Sequence, residues 1–532
     1  MKPPQLIDLK LEDVEALLAR VEKGELRPGD YELIRSMVET IAYLSQAVDE
    51  KATAIKRLVR MIFGASTETR EKIFPNKTEP ADTQAQTDIP EEAVPPKTPP
   101  PGHGKNGADA YPKAPRIKVP LQGMKSGETC RECHKGKLYP VNKAGTLVRF
   151  VGMAPLAATV YELEKLRCNL CGEVFTAQQP DNVGSEKYDE TAGAMIAILK
   201  YGSGMPFHRI AKLQESMGIP LPASTQWDIV ENAANRGTFH AYRELVRQAA
   251  QGDVIHNDDT PAKILEVIRE RNEQSKRKGM FTTGMISITK DHKIALFFTG
   301  QKHAGENLAD LLKKRQTDMA KPIQMCDALS RNTTNEFETI LANCLTHGRR
   351  NFVDVTAGFP EETAYVIDQI AAVYKNDKKA KELDYSPQER LLFHQQNSKP
   401  VMDNLKNWCK EQLEQKKTEP NSGLGKAISY MLKHWEPLTL FLRVPGAPLD
   451  NNICEQALKK AILHRKNALF FKTEHGAQIA DIFMSLIHTC NLQKLNPFDY
   501  LVALQKYSSD VFKSPANWMP WNYKNALPPD DS

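Results

Sequence analysis

Proline decides where this chain can and cannot fold. Eleven of its 34 prolines fall within residues 75–120, among them Pro95-Pro96 and Pro99-Pro100-Pro101, followed by Gly102-His103-Gly104-Lys105. Each proline fixes φ and removes a backbone donor, so the stretch is predicted to be an extended linker and not part of a core. Whatever lies before it must fold apart from whatever follows. At 532 residues the chain is long enough for roughly three to four domains.

The segment before the linker, 1–74, is predicted to be helical. From Tyr31 to Phe63 there is no proline or glycine, and Ile34, Ile41, Val48, Ile55 and Ile62 recur every seven residues. Met37, Leu44, Lys51 and Leu58 follow three residues after four of them, with Lys51 interrupting the register. β-Branched residues at a with leucine at d favour a parallel two-stranded coiled coil, so this segment reads as a leucine zipper and the chain as a homodimer or higher homo-oligomer. An amphipathic helix packed on its own domain is the alternative.

After the linker, residues 121–180 carry Cys130-x-x-Cys133 and Cys168-x-x-Cys171-Gly172, with β-type alternation between them at Thr146-Leu147-Val148-Arg149-Phe150-Val151. Two such knuckles offer four thiolates, the donor set of tetrahedral Zn²⁺. The 34 residues between Cys133 and Cys168 are more than a compact site needs, and an inserted β-hairpin accommodates them. With all four positions filled by cysteine there is no place for a reacting water, so a structural, zinc-ribbon-like β domain is expected. The other five cysteines are scattered, which argues against a disulfide framework.

Residues 186–250 then read as a helical region, with Ile210, Leu213 and Met217, a Gly218-Ile219-Pro220 break, and a second helix through Trp227 and Val230. Helix, short turn, helix is the outline of a helix-turn-helix, and also of any two packed helices. From 251 to 358 strands dominate. Val254-Ile255-His256 is a short strand running into Asn257-Asp258-Asp259-Thr260-Pro261; Phe281 to Thr289 and Lys293 to Thr299 form a hairpin; a helix covers 304–314; and Pro322 to Cys326 is a further strand ending at Asp327. A helical insertion is predicted over 359–445, with Met402, Leu405, Trp408, Ile428, Met431 and Trp435 at helical spacing. A last region, 446–510, opens a helix after Pro448-Leu449-Asp450-Asn451-Asn452 that carries Glu455, and 511–532 form a tail.

Three acids stand out in that plan. Two strand ends of one sheet can place Asp258 and Asp327 side by side, and a helix can bring Glu455 to them. Carboxylate oxygens suit Mg²⁺ or Mn²⁺, which share their remaining positions with water and phosphate. Two such ions activate the attacking oxygen and stabilise the leaving oxygen of a phosphodiester. The plainer alternatives are turn or cap roles for the aspartates and a capping box between Asn452 and Glu455. Basic residues weigh against these. Between Glu455 and Glu474 lie Lys459, Lys460, Arg465, Lys466 and Lys472 with no acid, and helical spacing puts Lys459 and Lys466 on the face of Glu455. His347-Gly348-Arg349-Arg350 adds a further group, as does the loop Arg269–Lys278 with Arg271, Lys276, Arg277 and Lys278. Lys459, Lys460, Arg465, Lys466, Arg349 and Arg350 are therefore the candidate DNA contacts.

Other classes recede. No apolar run approaches the 18 residues of a membrane span, Met1-Lys2-Pro3-Pro4 does not begin a secretory signal, and a cytoplasmic location is the expectation. The net charge of +5 is too small to diagnose a nucleic-acid partner by itself. No Gly-x-x-x-x-Gly-Lys-Ser/Thr loop occurs, so ATP chemistry is not implied.

Several motifs in order give the chain a likeness. Arg60-Met61-Ile62-Phe63-Gly64, Tyr111-Pro112-Lys113-Ala114-Pro115-Arg116, Leu166-Arg167-Cys168-Asn169-Leu170-Cys171-Gly172, Lys200-Tyr201-Gly202-Ser203-Gly204, His256-Asn257-Asp258-Asp259-Thr260 and Asp450-Asn451-Asn452-Ile453-Cys454-Glu455, continuing to Arg465-Lys466-Asn467, together resemble the insertion sequence 66 family of DDE transposases. The resemblance implies an N-terminal zipper, a zinc finger, and an α/β catalytic core of RNase H-like fold with a mixed sheet and an all-α insertion before its glutamate. It maps the catalytic DDE set onto Asp258, Asp327 and Glu455. Three positions depart from the family's common pattern. Asp259 stands where glutamate is usual, leaving Asp258 and Asp259 both open as first metal ligand; Gln456 replaces an arginine and His464 a glycine.

The resemblance implies that the chain binds the terminal inverted repeats of a bacterial element as double-stranded DNA, cuts there, and joins the freed 3′ ends to target DNA, acting on the nucleoid. Accessory proteins of the element are further partners it allows. A transposase-derived DNA-binding protein that is catalytically silent, or that only cuts, is the alternative.

Overall fold

The computed structural model describes residues 186–270 and 277–529 continuously, much of 152–184, and scattered positions before that. The chain divides into two compact units, one made of Thr78–Met195 with Phe207–Ile229, the other of Met1–Lys77, Ile196–Pro206 and Val230–Ser532.

In the smaller unit, the antiparallel strands β1 (Lys165–Arg167) and β2 (Val174–Thr176) enclose the second cysteine pair. A bridge between Thr129 and Lys137 encloses the first, closed by Gly127 N–H to Leu138 O at 2.8 Å. Helices α1 (Phe207–Ser216) and α2 (Ala223–Ala233) follow. Gly218 separates them at φ +76°, a left-handed conformation that suits glycine, and Ile219 N–H closes the end of α1 on Gln214 O at 3.0 Å.

The larger unit is built on a five-stranded mixed sheet of β3 (Val254–Pro261), β4 (Phe281–Ile288), β5 (Lys293–Gly300), β6 (Ile323–Cys326) and β7 (Ile340–Asn343). Their order is β5-β4-β3-β6-β7. β4 runs antiparallel to both β3 and β5, while β6 pairs parallel to both β3 and β7. The hairpin and the strand before Asp327 fall where the sequence pattern puts them. Two details differ. β3 continues to Pro261, because Asp258, Asp259 and Thr260 pair with Gly284, Thr283 and Thr282 of β4; a long partner strand extends a ladder through polar residues that propensity alone would end. β7 gives no alternating pattern in its four residues and is visible only by its pairing.

Helix α3 (Ala304–Leu312) precedes β6, and α4 (Leu345–Val353) follows β7. The insertion contains α5 (Pro360–Glu382), α6 (Pro387–Asn397), α7 (Lys399–Glu414) and α8 (Gly423–Lys433). Its apolar faces, including Val366, Ile370, Met402, Leu405, Ile428 and Met431, share one core with Phe352 of α4 and with Met325 and Ala342 of the sheet. Helix α9 (Asn452–Ala468) returns across β3 and β4. Gly284 permits this approach, since a Cβ there would meet the Leu458 side chain at 2.9 Å.

The sheet edge at β5 is covered by α10 (Glu474–Leu492). Asp481, Ser485 and Thr489, spaced one turn apart, accept the N–H groups of Thr299, Phe297 and Ala295 at 2.6, 3.0 and 3.0 Å. Side chains on a helix thus occupy the donors that an open edge would offer another strand. Burial pushes the Asp481 carboxyl up to about 7 despite the two hydrogen bonds from Thr299. Among the described residues no helix is long and apolar enough to cross a membrane.

Candidate active site at the centre of the sheet

Strand alternation decides which aspartate faces what. Side chains of successive residues point to opposite faces, so His256, Asp258 and Thr260 share one face of β3, and Asn257 and Asp259 the other. The first face lies under α9. There His256 meets Asn451 at 3.1 Å, and Thr260 Oγ1 accepts a hydrogen bond from Arg465 at 3.1 Å. On the other face Asp259 is 1% exposed; its carboxylate meets His303 Nδ1 at 3.0 Å and Arg331 at 3.5 Å, and accepts the Ala304 N–H at the start of α3 at 3.4 Å. Asp259 thus faces α3 and Arg331, on the side of β3 opposite α9, with its Oδ1 buried and without a hydrogen-bond partner.

Asp327 comes level with Asp258 through register. His256 pairs with Met325 in the parallel ladder, and each aspartate stands two residues further along its own strand direction. Adjacent strands are about 4.8 Å apart. Asn332 lies between the pair, its Nδ2 donating to Asp327 at 2.5 Å and to Asp258 at 3.3 Å. Asp258 also accepts the Asp259 N–H at 2.8 Å, and Asp327 the Leu329 N–H at 3.1 Å.

Glu455 is delivered by the start of α9, whose seat is fixed by Asn451. That fully buried side chain donates to Asn257 O at 3.2 Å and faces His256 Nδ1, while its backbone N–H points at Cys344 Sγ at 3.3 Å. Because Asn451 Nδ2 is used on Asn257, its oxygen is the atom left to accept from His256. Burial holds His256 down at about 4, so the ring is neutral. The alternative role for Glu455, a capping box with Asn452, does not form: Asn451 is the N-cap, without a side-chain cap bond.

Glu455 Oε1 is instead buried with no hydrogen-bond partner, 3.7 Å from His347 Nδ1, which is likewise buried and unpartnered. Cys344, His347 and Glu455 bring their donor atoms within 4.8 Å of one another. Burial pushes the Cys344 thiol up to about 11, so at neutral pH it is not a thiolate. Burial, then the charges of Asp327, Asp259 and Glu455, push Asp258 up to about 7. Glu455 Oε1 and His347 Nδ1 are thus two orphaned buried polar atoms in a group of sulfur, nitrogen and oxygen donors, the mixed set that suits a transition metal better than a hard cation. The sequence reading counted His347 only as part of a basic group; Cys344-x-x-His347, straight after a strand that no pattern revealed, is the signal that would have found it.

The basic candidates divide. Lys459, Lys460 and Lys466 are exposed on α9, and Arg349 and Arg350 are half-buried on α4. Arg465 ties α9 to the end of β3 through Thr260 and the Pro261 carbonyl. In the loop after β3, Arg277 forms a two-pronged pair with Glu306 at 2.7 and 2.9 Å, while Arg271 and Lys276 lie outside the described residues. Cys171 is exposed in the turn between β1 and β2. Cys130, Cys133 and Cys168, like nearly all of the heptad segment, lie outside the described residues.

A mixed sheet with two aspartates at its centre, and a returning helix whose Glu455 sits with Cys344 and His347 and acts by its charge on Asp258, defines an α/β protein with an acidic central site. The chain belongs to the transposase IS66 family, whose model matches residues 187–479, a span that contains all three acids. It is also similar to proteins of Sinorhizobium fredii that are named only as uncharacterized. It is 33% identical to y4jD over 202 residues, 37% of this chain and 39% of that one, and 25% identical to y4hP over 392 residues, 68% and 67%. The first of these matches therefore covers about two fifths of the relative's length.

Proposed function

We propose that the chain is a DDE-type DNA transposase that binds the terminal inverted repeats of its own element and catalyses cleavage and 3′-OH strand transfer on double-stranded DNA. The observation that carries this is the buried Asp258 carboxyl at the centre of the sheet, pushed up by burial and by charges that include Asp327 and Glu455 from two other segments, inside a family of transposases. The sheet, three antiparallel strands followed by two parallel ones, supports an RNase H-like reading of the core.

In this reading Asp258, Asp327 and Glu455 hold Mg²⁺ or Mn²⁺, which when bound activate the attacking oxygen and stabilise the leaving one. The protein's own part is positioning. Asn332 holds the two aspartates at a fixed separation, and its amide prevents either from turning away. Asn451 keeps the start of α9, and Glu455 with it, on β3. Lys459 and Lys466, exposed on the helix of Glu455, and Arg349 and Arg350 on α4 lie where phosphates flanking the reacting bond would run. Asp259 keeps α3 and Arg331 in place from the other face.

Upstream, we assign Cys130, Cys133, Cys168 and Cys171 to one structural Zn²⁺, supported by the β1–β2 ladder and the Thr129–Lys137 bridge that flank the two pairs in sequence. The 1–74 segment pairs two copies so that both element ends are held together, and accessory proteins of the element join that assembly on the nucleoid. With Mg²⁺ and a duplex carrying the repeat that flanks the gene, Asp327→Asn should bind as well as wild type and cut nothing. Equal cleavage by the variant sinks the assignment. Wild-type cleavage without a joined product would instead mark a nuclease.

A further inference from the structure

The end of α9 carries a feature that the acidic site does not use. At Leu469 the backbone takes φ +68° and ψ −42°, and Phe470 N–H donates to Ala468 O at 2.8 Å. This is a γ-turn of the rarer hand, a strained conformation for a residue with a branched side chain. The strain does not serve burial: Leu469 is 63% exposed and Phe470 44%. Nor is the turn loose. Leu469 N–H is held by Arg465 O at 2.8 Å, and Phe471 is pinned to the strand side by Lys263 O at 2.8 Å and Leu265 N–H at 2.9 Å. Two large apolar side chains are thus presented to solvent on a rigid, strained tip.

Its surroundings restrict what can cover it. From Gln456 to Thr473 there is no acidic residue, while Lys466 and Lys472 on either side of the tip are exposed. An apolar partner ringed by negative charge satisfies both halves of this surface. Duplex DNA has that composition, with stacked bases between phosphates, and leucine and phenylalanine are side chains that enter base steps as wedges.

We propose that Leu469 and Phe470 form a wedge that enters the DNA stack near the element end, with Lys466 and Lys472 on the adjacent phosphates. The inference rests on the transposase reading above and adds a distortion of the duplex to it. Fourteen residues of helix separate Glu455 from Leu469, about 21 Å at 1.5 Å per residue. At about 3.4 Å per base pair the wedge enters roughly six pairs from the reacting bond. Strain at the tip keeps the side chains outward when no DNA is bound, so no folding cost falls on the binding step.

The test uses the full-length protein and a duplex carrying the repeat that flanks the gene, with 2-aminopurine placed singly along the terminal pairs. Wild type should raise fluorescence several-fold at one position, about six pairs from the cut. Leu469→Gly and Phe470→Ala should abolish that rise and weaken binding roughly tenfold, the loss expected for one stacking contact. Leu469→Gly should also melt higher than wild type, which separates loss of the wedge from loss of the fold. Wild type that cuts the duplex with no rise at any position, or variants that keep the rise, overturn the wedge alone. Wild type that neither binds nor cuts overturns the transposase reading together with it. A rise that persists while the variants lose self-association marks the tip as an interface between copies and also overturns the wedge.

Discussion

Replacing Asp258 by asparagine should make the metal-free protein more stable, and by an amount that depends on pH. Burial among Asp327, Asp259 and Glu455 holds the Asp258 carboxyl at about 7, against an ordinary value of 3.8. In the unfolded chain the group ionises near its ordinary value, so between the two values the folded state holds a proton that the unfolded state has lost. Stability therefore falls as pH rises through this window and is lowest above about 7. At about 1.4 kcal/mol per pH unit the penalty reaches about 4 kcal/mol. Asparagine carries no charge, yet its Oδ1 can still accept from the Asp259 N–H and from Asn332, the two donors that Asp258 now uses. Asp481, also raised to about 7, is present in both proteins and cancels in the difference. Calorimetry without divalent metal should show the variant melting on the order of 10 °C above wild type at about pH 8, with the gap closing by about pH 4. Magnesium should raise the wild-type midpoint more at about pH 8 than at about pH 5.5 and leave the variant nearly unmoved. A gap between the two proteins that is the same at every pH would refute the account of a crowded carboxylate site.

Other outcomes follow from particular contacts. Asn451→Ala leaves His256 and Asn257 O without buried partners and should cost about 2–4 kcal/mol; steady-state assays should show a fall in cleavage rate larger than any fall in DNA affinity. Gly284→Ala drives a Cβ into Leu458 and should cost about 1–3 kcal/mol in denaturant titration, with cleavage reduced as α9 lifts from β4. Lys459→Gln with Lys466→Gln should weaken binding to any duplex and lower the slope of log affinity against log salt by about 2. Elemental analysis of protein purified without chelators should find zinc, and Cys130→Ser should lower its content and the protease resistance of 121–180.

How much of this was legible beforehand depends on the range of the interaction involved. The β4–β5 hairpin, α3, the helical insertion and α9 announce themselves because each is specified by neighbours a few residues away. The three acids were also legible as candidates, since aspartates follow apolar strand patterns and Glu455 opens a helix rich in lysine. β7, α10 as the cover for an open sheet edge, and the extension of β3 were not, because each is created by pairing with residues far off in sequence. His347 escaped for the same reason: its meaning comes from Glu455, more than a hundred positions away.

The sequence by itself determined the modules and their chemistry: a proline-rich break, two thiol pairs, a carboxylate set, and a helix with cations and no acid after Glu455. The tertiary structure decided which of two adjacent aspartates lies on the face under α9, that Arg465 is spent on holding a helix, and that Leu469 stands strained in solvent. Those choices rest on strand register and on the close approach of α9 over Gly284. Register and approach are properties of two segments at once, and no single stretch of sequence holds them.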